Sequence, residues 1–118
     1  MASLTETQSR VLESLRVHCR ANVVRYRESQ PLLYRSDLEQ IGRGDQASAF
    51  GLGGLTWVLG HQLGMTPGKV LRTFKALERK GLVLREKGVS YLRPLYWWPI
   101  GLAAELKAEL GEQGGGHA

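Results

Sequence analysis

Apolar residues recur at helical spacing in three parts of the chain, which predicts helices over about 4–20, 66–80 and 100–110. The sequence S-L-T-E at Ser3 to Glu6 is a capping box that begins the first helix. The apolar face of the first helix consists of Leu4, Val11, Leu12, Leu15 and Cys19. The apolar face of the last helix consists of Leu102, Leu106 and Leu110.

A further short helix is predicted at Leu55 to Leu63, immediately before the helix over 66–80. Trp57 belongs to its apolar surface and is expected in the core. Gly60 is expected to let the two helices pack closely. Gly64 lies where the chain must turn, and a left-handed backbone there costs glycine little.

The helix over 66–80 has clear signals at both ends. Thr66 is a natural N-cap, and Pro67 suits the first helical position because its missing N–H has no helical acceptor there. Gly81 is a typical stop signal. The apolar stripe between these ends consists of Val70, Phe74 and Leu77.

After Gly81 the pattern changes to that of strands. Two strands, 82–86 and 89–93, are predicted to pair through a two-residue turn at Lys87-Gly88. The aromatic cluster Tyr96-Trp97-Trp98 follows between two prolines, and it either closes the core or forms a partner surface.

The connector 23–54 is the least legible part of the chain. Residues 23–28 are predicted as a short strand, Ser36 to Ile41 as a short helix, and Gly42 to Gly54 as a flexible loop. The glycine-rich F-G-L-G-G segment lacks the lysine of a phosphate-binding loop, which disfavours nucleotide binding. The tail 111–118 is predicted to be disordered.

The positive charge is concentrated in one segment. Of the 16 Lys and Arg and 11 Asp and Glu residues, eight basic and two acidic ones lie between Gly64 and Arg93, which gives this segment +6. The rest of the chain has eight basic and nine acidic residues, a net −1. A surface that meets a polyanion needs such a distribution, although a solvated basic face would have it too.

The stretch from Leu59 to Val83 resembles the helix-turn-helix of winged-helix DNA-binding proteins, in which a recurring pattern runs from "LG" to "GLV". Its elements here are Leu63, Gly64, Met65, Thr66, Val70, Phe74, Leu77, Glu78, Arg79, Lys80, Gly81, Leu82 and Val83. The resemblance implies one mainly α domain over 1–110 with a small β-hairpin. In this winged helix-turn-helix, 55–80 is the helix-turn-helix, 82–93 is the wing, and terminal helices flank both.

The same resemblance implies a transcriptional regulator that binds double-stranded DNA with the helix over 66–80 in the major groove. Arg72 is the best candidate for a guanine edge, with Lys69 or Thr73 as an alternative reader. Gly68 either permits close approach to DNA or is a glycine that the surface tolerates. The candidate phosphate or minor-groove contacts are Thr66, Lys69, Lys75, Arg79, Arg85, Lys87 and Ser90.

Helix-turn-helix proteins commonly bind as two-fold dimers, so a homodimer is expected. Its candidate interface is Trp97, Trp98, Leu102, Leu106 and Leu110, although the same ridge could pack on the N-terminal helix within one monomer. Two alternatives to a regulator remain open. One is a replication, partition or other DNA-processing module, and the other is a winged helix that binds proteins.

The chain has no residue set typical of an enzyme, a metal site or a cofactor. Cys19 is the only cysteine and is expected to be a buried small apolar residue. His18, His61 and His117 lack the spacing of metal ligands. Because no secretory signal or membrane-spanning run is recognised, a cytoplasmic protein without membrane contact is expected.

Overall fold

The computed structural model describes residues 3–30, 53–85 and 96–115, without the side chains of Leu55, Lys107 and residues 110–115. In these ranges the helices are α1 (Glu6–Ser29), α2 (Thr56–Leu63), α3 (Pro67–Arg79) and α4 (Leu102–Gly115). The strands are β1 (Gly54–Leu55), β2 (Val83–Arg85) and β3 (Tyr96–Pro99). The described chain is therefore mainly helical with a small antiparallel sheet, as predicted.

The first helix begins later than the sequence predicted. The hydroxyl of Thr5, not Ser3, accepts a hydrogen bond from the Gln8 amide at 3.0 Å. The Gln8 side chain in return accepts from the Thr5 amide at 3.1 Å. These two bonds form the capping box, and α1 therefore starts at Glu6.

The same helix also extends further than predicted, and the predicted strand over 23–28 is wrong. Val11, Leu15, Cys19 and Val23 are all fully buried. Their spacing of four residues continues one apolar face of a helix through the segment that was predicted to be a strand. The burial of Val23 outweighs the β propensity of the Val-Val-Arg-Tyr run.

Strand β3 lies in the middle of the sheet, with the order β1-β3-β2 and both pairs antiparallel. Val83 pairs with Pro99, and Arg85 pairs with Trp97. A turn at Lys87-Gly88 would instead pair Val83 with Leu92, so the described pairing of β2 with β3 was not predicted. The segment 86–95, which contains that turn and the predicted strand 89–93, lies outside the described residues.

Strand β1 was not predicted. Gly54 and Leu55 were assigned to a loop and to the start of a helix, but they pair with Trp97 and Tyr96 of β3. Helix α2 follows directly, one residue later than predicted. The rest of the connector from residue 31 to 52, including the predicted helix at Ser36 to Ile41, lies outside the described residues.

Trp97 is the centre of the core. Its ring stacks on Phe74 of α3 with centroids 4.9 Å apart. Its indole N–H donates to the hydroxyl of Thr56 in α2 at 2.8 Å. Its carbonyl lies 3.8 Å from the sulfur of Cys19 in α1. One residue of the sheet thus joins three helices, and the aromatic cluster closes the core.

Helix α4 packs against the rest of the monomer, and this corrects the predicted dimer interface. The side chains of Trp97, Trp98, Leu102 and Leu106 are each at most 1% exposed within one chain. A surface that is already buried in the monomer cannot bind a second copy without unfolding. The side chain of Leu110 lies outside the described part of the structure.

Exposed salt bridges link α4 to α1. The Arg16 guanidinium contacts the Glu105 carboxylate at 2.9 Å. Arg20 pairs with both Glu105 and Glu109. The helix also continues to Gly115, so the prediction that disorder begins at residue 111 is wrong, while 116–118 lie outside the described residues.

Candidate nucleic-acid interface

Helices α2 and α3 are joined by a short turn that depends on two glycines. Gly64 has a φ of 68°, in the left-handed region. A Cβ at Gly60 would lie 3.0 Å from the Met65 carbonyl oxygen and 3.2 Å from Cγ2 of Val70. The expectations for both glycines are confirmed, and the close approach at Gly60 fixes how α3 is presented.

Both ends of α3 are capped as the sequence predicts. The hydroxyl of Thr66 accepts from the Lys69 amide at 3.2 Å, and Pro67 is the first helical residue. At the other end, the amides of Gly81 and Leu82 donate back into the last turn at 3.0 Å each, and Gly81 has a φ of 75°. This arrangement is a Schellman motif.

The two sides of α3 differ sharply in composition. Val70, Phe74 and Leu77 are completely buried. We call four of the exposed residues of α3 the outward line: Gly68, Arg72, Lys75 and Arg79. At 100° per residue, these four positions fall within an arc of about 60° on the side of the helix opposite the buried stripe. The outward line spans about 16 Å along the helix axis.

Four cations of α3 are free for an external partner. Lys69, Arg72, Lys75 and Arg79 are exposed, and their side chains make no ion pair or hydrogen bond within the described part of the chain. Thr73, in contrast, is half-buried, and its hydroxyl donates to the Lys69 carbonyl at 2.9 Å.

No packing contact within the described residues requires glycine at position 68. A Cβ there would meet only Nη1 of Arg72, at 3.6 Å, which is an ordinary contact. The same distance shows that the Arg72 guanidinium lies back along α3 over Gly68. A glycine here therefore lowers helix propensity without a compensating contact in the described structure.

Two other cations of the basic segment, Lys80 and Arg85, make hydrogen bonds or ion pairs within the molecule. The ammonium of Lys80 donates at 2.8 Å both to the Ser3 carbonyl and to the Gln8 side chain. The guanidinium of Arg85 pairs with Glu78 at 2.8 Å. Arg85, a predicted DNA contact, is therefore half-buried in an intramolecular pair, while Lys87 and Ser90 lie outside the described residues.

Trp57 is not a core residue, and that prediction is wrong. Its side chain is 56% exposed, whereas Thr56, Leu59 and Gly60 of the same helix are buried. The buried positions follow the spacing i, i+3, i+4 from Thr56, and Trp57 lies beside that face. The helical periodicity could have revealed its exposure, but the size of the apolar ring suggested burial.

Burial shifts the pKa values of two further groups, the thiol of Cys19 and the imidazole of His18. Desolvation raises the pKa of the Cys19 thiol far above its usual range, and a backbone hydrogen bond from Gly54 opposes this only in part. Cys19 is thus buried, as predicted. Partial burial and the neighbouring Arg25 both lower the pKa of His18.

Among the residues that the structure describes, no group of three His, Cys, Asp or Glu side chains could hold a metal ion. None of the described helices is both long and apolar enough to cross a membrane. No protein-family model, curated protein or solved structure matches this chain.

Proposed function

We propose that this protein binds double-stranded DNA by placing α3 in the major groove. The observation that carries the proposal is the outward line of Gly68, Arg72, Lys75 and Arg79. Three cations without partners among the described residues lie directly opposite the buried stripe of the same helix. A helix fits the major groove, and a cationic outer face lowers the electrostatic free energy of meeting phosphates.

The fold that this proposal implies is a winged helix-turn-helix. Helices α2 and α3 with their tight turn supply the helix-turn-helix. Strands β2 and β3 follow α3 and pair with each other. In this proposal the connection between these strands, which contains Lys87 and Arg93, takes the role of the wing.

Within the proposed interface, the position of a residue along and around α3 assigns its role, and Lys69 lies in the first turn but on the flank, outside the outward line. The first turns of a recognition helix contact base edges, and later turns move toward the backbone. Arg72 is the proposed base reader, since its planar fork can donate two hydrogen bonds to guanine. Lys69, Lys75 and Arg79 are the proposed phosphate contacts, together with the Thr66 hydroxyl.

We infer a homodimeric transcriptional regulator as the biological setting. One recognition helix offers few contacts, and two copies on neighbouring half-sites would double them. The dimer surface would lie outside the buried residues Trp97, Trp98, Leu102 and Leu106. A DNA-processing module is the alternative, and it would occupy an origin or a centromere-like array rather than promoters.

The proposal is tested by selecting bound duplexes from a random pool and footprinting the preferred sequence. Recovery of one sequence, protected over one or two half-sites, supports it. A pool that shows no enrichment at low salt contradicts it. If the protein instead captures another protein and no duplex, the protein-binding alternative takes its place.

The role of Arg72 has its own test against Lys75. Arg72→Ala should reduce discrimination at one base pair by about 1–3 kcal/mol, since the variant cannot make a bidentate pair with guanine. Lys75→Ala should weaken binding about equally on all sequences. Binding of both variants to a panel of single-base-pair changes decides this. If the two variants behave alike, Arg72 is a phosphate contact.

A further inference from the structure

Of the described arginines on or next to α3, Arg85 is the one whose guanidinium contacts other residues on two sides. Its Nη2 atom lies 2.8 Å from the Glu78 carboxylate. Its Cζ atom lies 5.5 Å from the centre of the Trp97 ring, to which it is also paired across the sheet. The Nε atom is buried and finds no acceptor among the described residues.

The ring beneath Arg85 cannot move easily. Trp97 stacks on Phe74 and donates to the Thr56 hydroxyl, so α2 and α3 both fix it. An arginine over a fixed indole gains a cation–π contact in addition to its ion pair. Reaching outward to a phosphate would cost Arg85 both interactions.

Glu78, the partner of Arg85, has an unfavourable position for a protein that binds DNA. It is the only acidic residue of α3. Three residues after Lys75, it lies about 60° around the helix from that lysine, at the border of the outward line. An unpaired carboxylate there would repel the phosphates that the neighbouring cations attract.

We propose that Arg85 is a positioning residue that neutralises Glu78 beside the DNA-binding face and does not itself contact DNA. Pairing with Arg85 cancels the charge of Glu78 and holds its carboxylate toward β2. The same contact fixes the end of β2 against α3, at the point where the connection to β3 begins. This inference rests on the proposed function.

A double-mutant cycle distinguishes this role from a phosphate contact. Arg85→Gln should weaken duplex binding by roughly two- to fivefold, the size of one partly screened charge interaction. In a Glu78→Gln background the same change should have a clearly smaller effect, because no carboxylate is left to turn toward the phosphates and only the loss of one more distant cation remains. Glu78→Gln alone should bind at least as tightly as the unmodified protein. The readout is the dissociation constant for the selected duplex at fixed salt.

The result that would overturn the inference is an equal reduction of affinity in both backgrounds. A phosphate contact would also lower the slope of log affinity against log salt by about 0.9 when Arg85 is replaced. Arg85→Lys is the matched control, since it keeps the charge and should bind nearly as the unmodified protein does. If Arg85→Lys binds as weakly as Arg85→Gln, neutralisation of Glu78 is excluded as the mechanism.

A measurement on the unmodified protein keeps the inference testable if Arg85→Gln does not fold. Arginines are modified with phenylglyoxal with and without duplex, and each site is quantified by mass spectrometry. Arg72 and Arg79 should be protected by DNA, whereas Arg85 should react equally in both states. Protection of Arg85 by DNA would overturn this inference but would leave the proposed function standing. If no duplex is bound at all, the proposed function fails and the inference fails with it.

Discussion

At the scale of single residues, the angle around the α3 axis separates two tasks. Phe74 and its buried neighbours fold the protein, and the outward line faces away from them. Because the two sets lie on opposite sides, residues of the outward line can be replaced without disturbing the core. Their substitutions should therefore separate binding from stability.

Gly68→Ala gives the clearest such separation. Alanine raises helix propensity, and no described contact obstructs a Cβ, so the free energy of unfolding should rise by up to about 1 kcal/mol. If the glycine permits close approach to DNA, the added methyl group should weaken duplex binding at the same time. Thermal unfolding and fluorescence anisotropy measure the two effects.

The matched control is Gly81→Ala. That position has a φ of 75°, so alanine should strain the cap and lower stability while leaving the outward line intact. Unchanged duplex affinity in Gly68→Ala would show that the surface merely tolerates this glycine.

Lys75 and Lys80 illustrate how similar residues acquire different roles. Lys75 is exposed and unpaired within the described chain, whereas Lys80 donates to Ser3 and Gln8. Lys80→Ala should therefore lower the free energy of unfolding by about 1 kcal/mol. Lys75→Ala should leave it unchanged. Chemical denaturation checks both, and equal stabilities would mean that the Lys80 contacts contribute nothing.

At the scale of elements, the sequence predicted α2 and α3 well because their signals are local. Thr66, Pro67 and Gly81 act on the backbone within a few residues, so their effect depends little on the rest of the fold. The same holds for Gly64 in the turn. These residues also present the candidate site, which explains why the exposed cations of α3 could be named from the sequence.

Elements determined by tertiary contacts were predicted poorly. The length of α1 depends on the burial of Val23, and the place of β3 depends on Trp97 packing against Phe74. The four-residue spacing from Cys19 to Val23 did indicate a longer helix, but the β-branched run obscured it. The packing of Trp97 on Phe74, in contrast, has no signal in the neighbouring sequence. The aromatic segment therefore was not recognised as a strand, and its pairing with β2 was not predicted.

Helix α4 provides a test at this scale, since its Leu106 belongs to the monomer core. Leu106→Lys should cost at least about 3 kcal/mol, because it would bury an unpaired charge. Ala104→Lys is the matched control on the same helix, at an exposed position. Circular dichroism at rising temperature measures both. A folded Leu106→Lys protein that only changes its oligomeric state would restore the dimer interface predicted from the sequence.

At the scale of the whole molecule, the described charges are paired between α1 and α4 and unpaired on the outward line of α3. Arg16 and Arg20 are matched by carboxylates of α4. The sequence predicted a net +6 between Gly64 and Arg93, but it could not show which of those cations are occupied. The structure assigns Lys80 and Arg85 to internal contacts and leaves the cations of α3 available.

The salt dependence of duplex binding tests the central claim most directly. If α3 meets phosphates, a dimer with on the order of six phosphate contacts should bind roughly a thousandfold more weakly at 200 mM than at 50 mM salt. Lys75→Ala should reduce the slope of log affinity against log salt, by about 0.9 for each phosphate that is no longer neutralised, whereas Lys80→Ala should not. A flat salt response, or no duplex binding at low salt, would contradict the account.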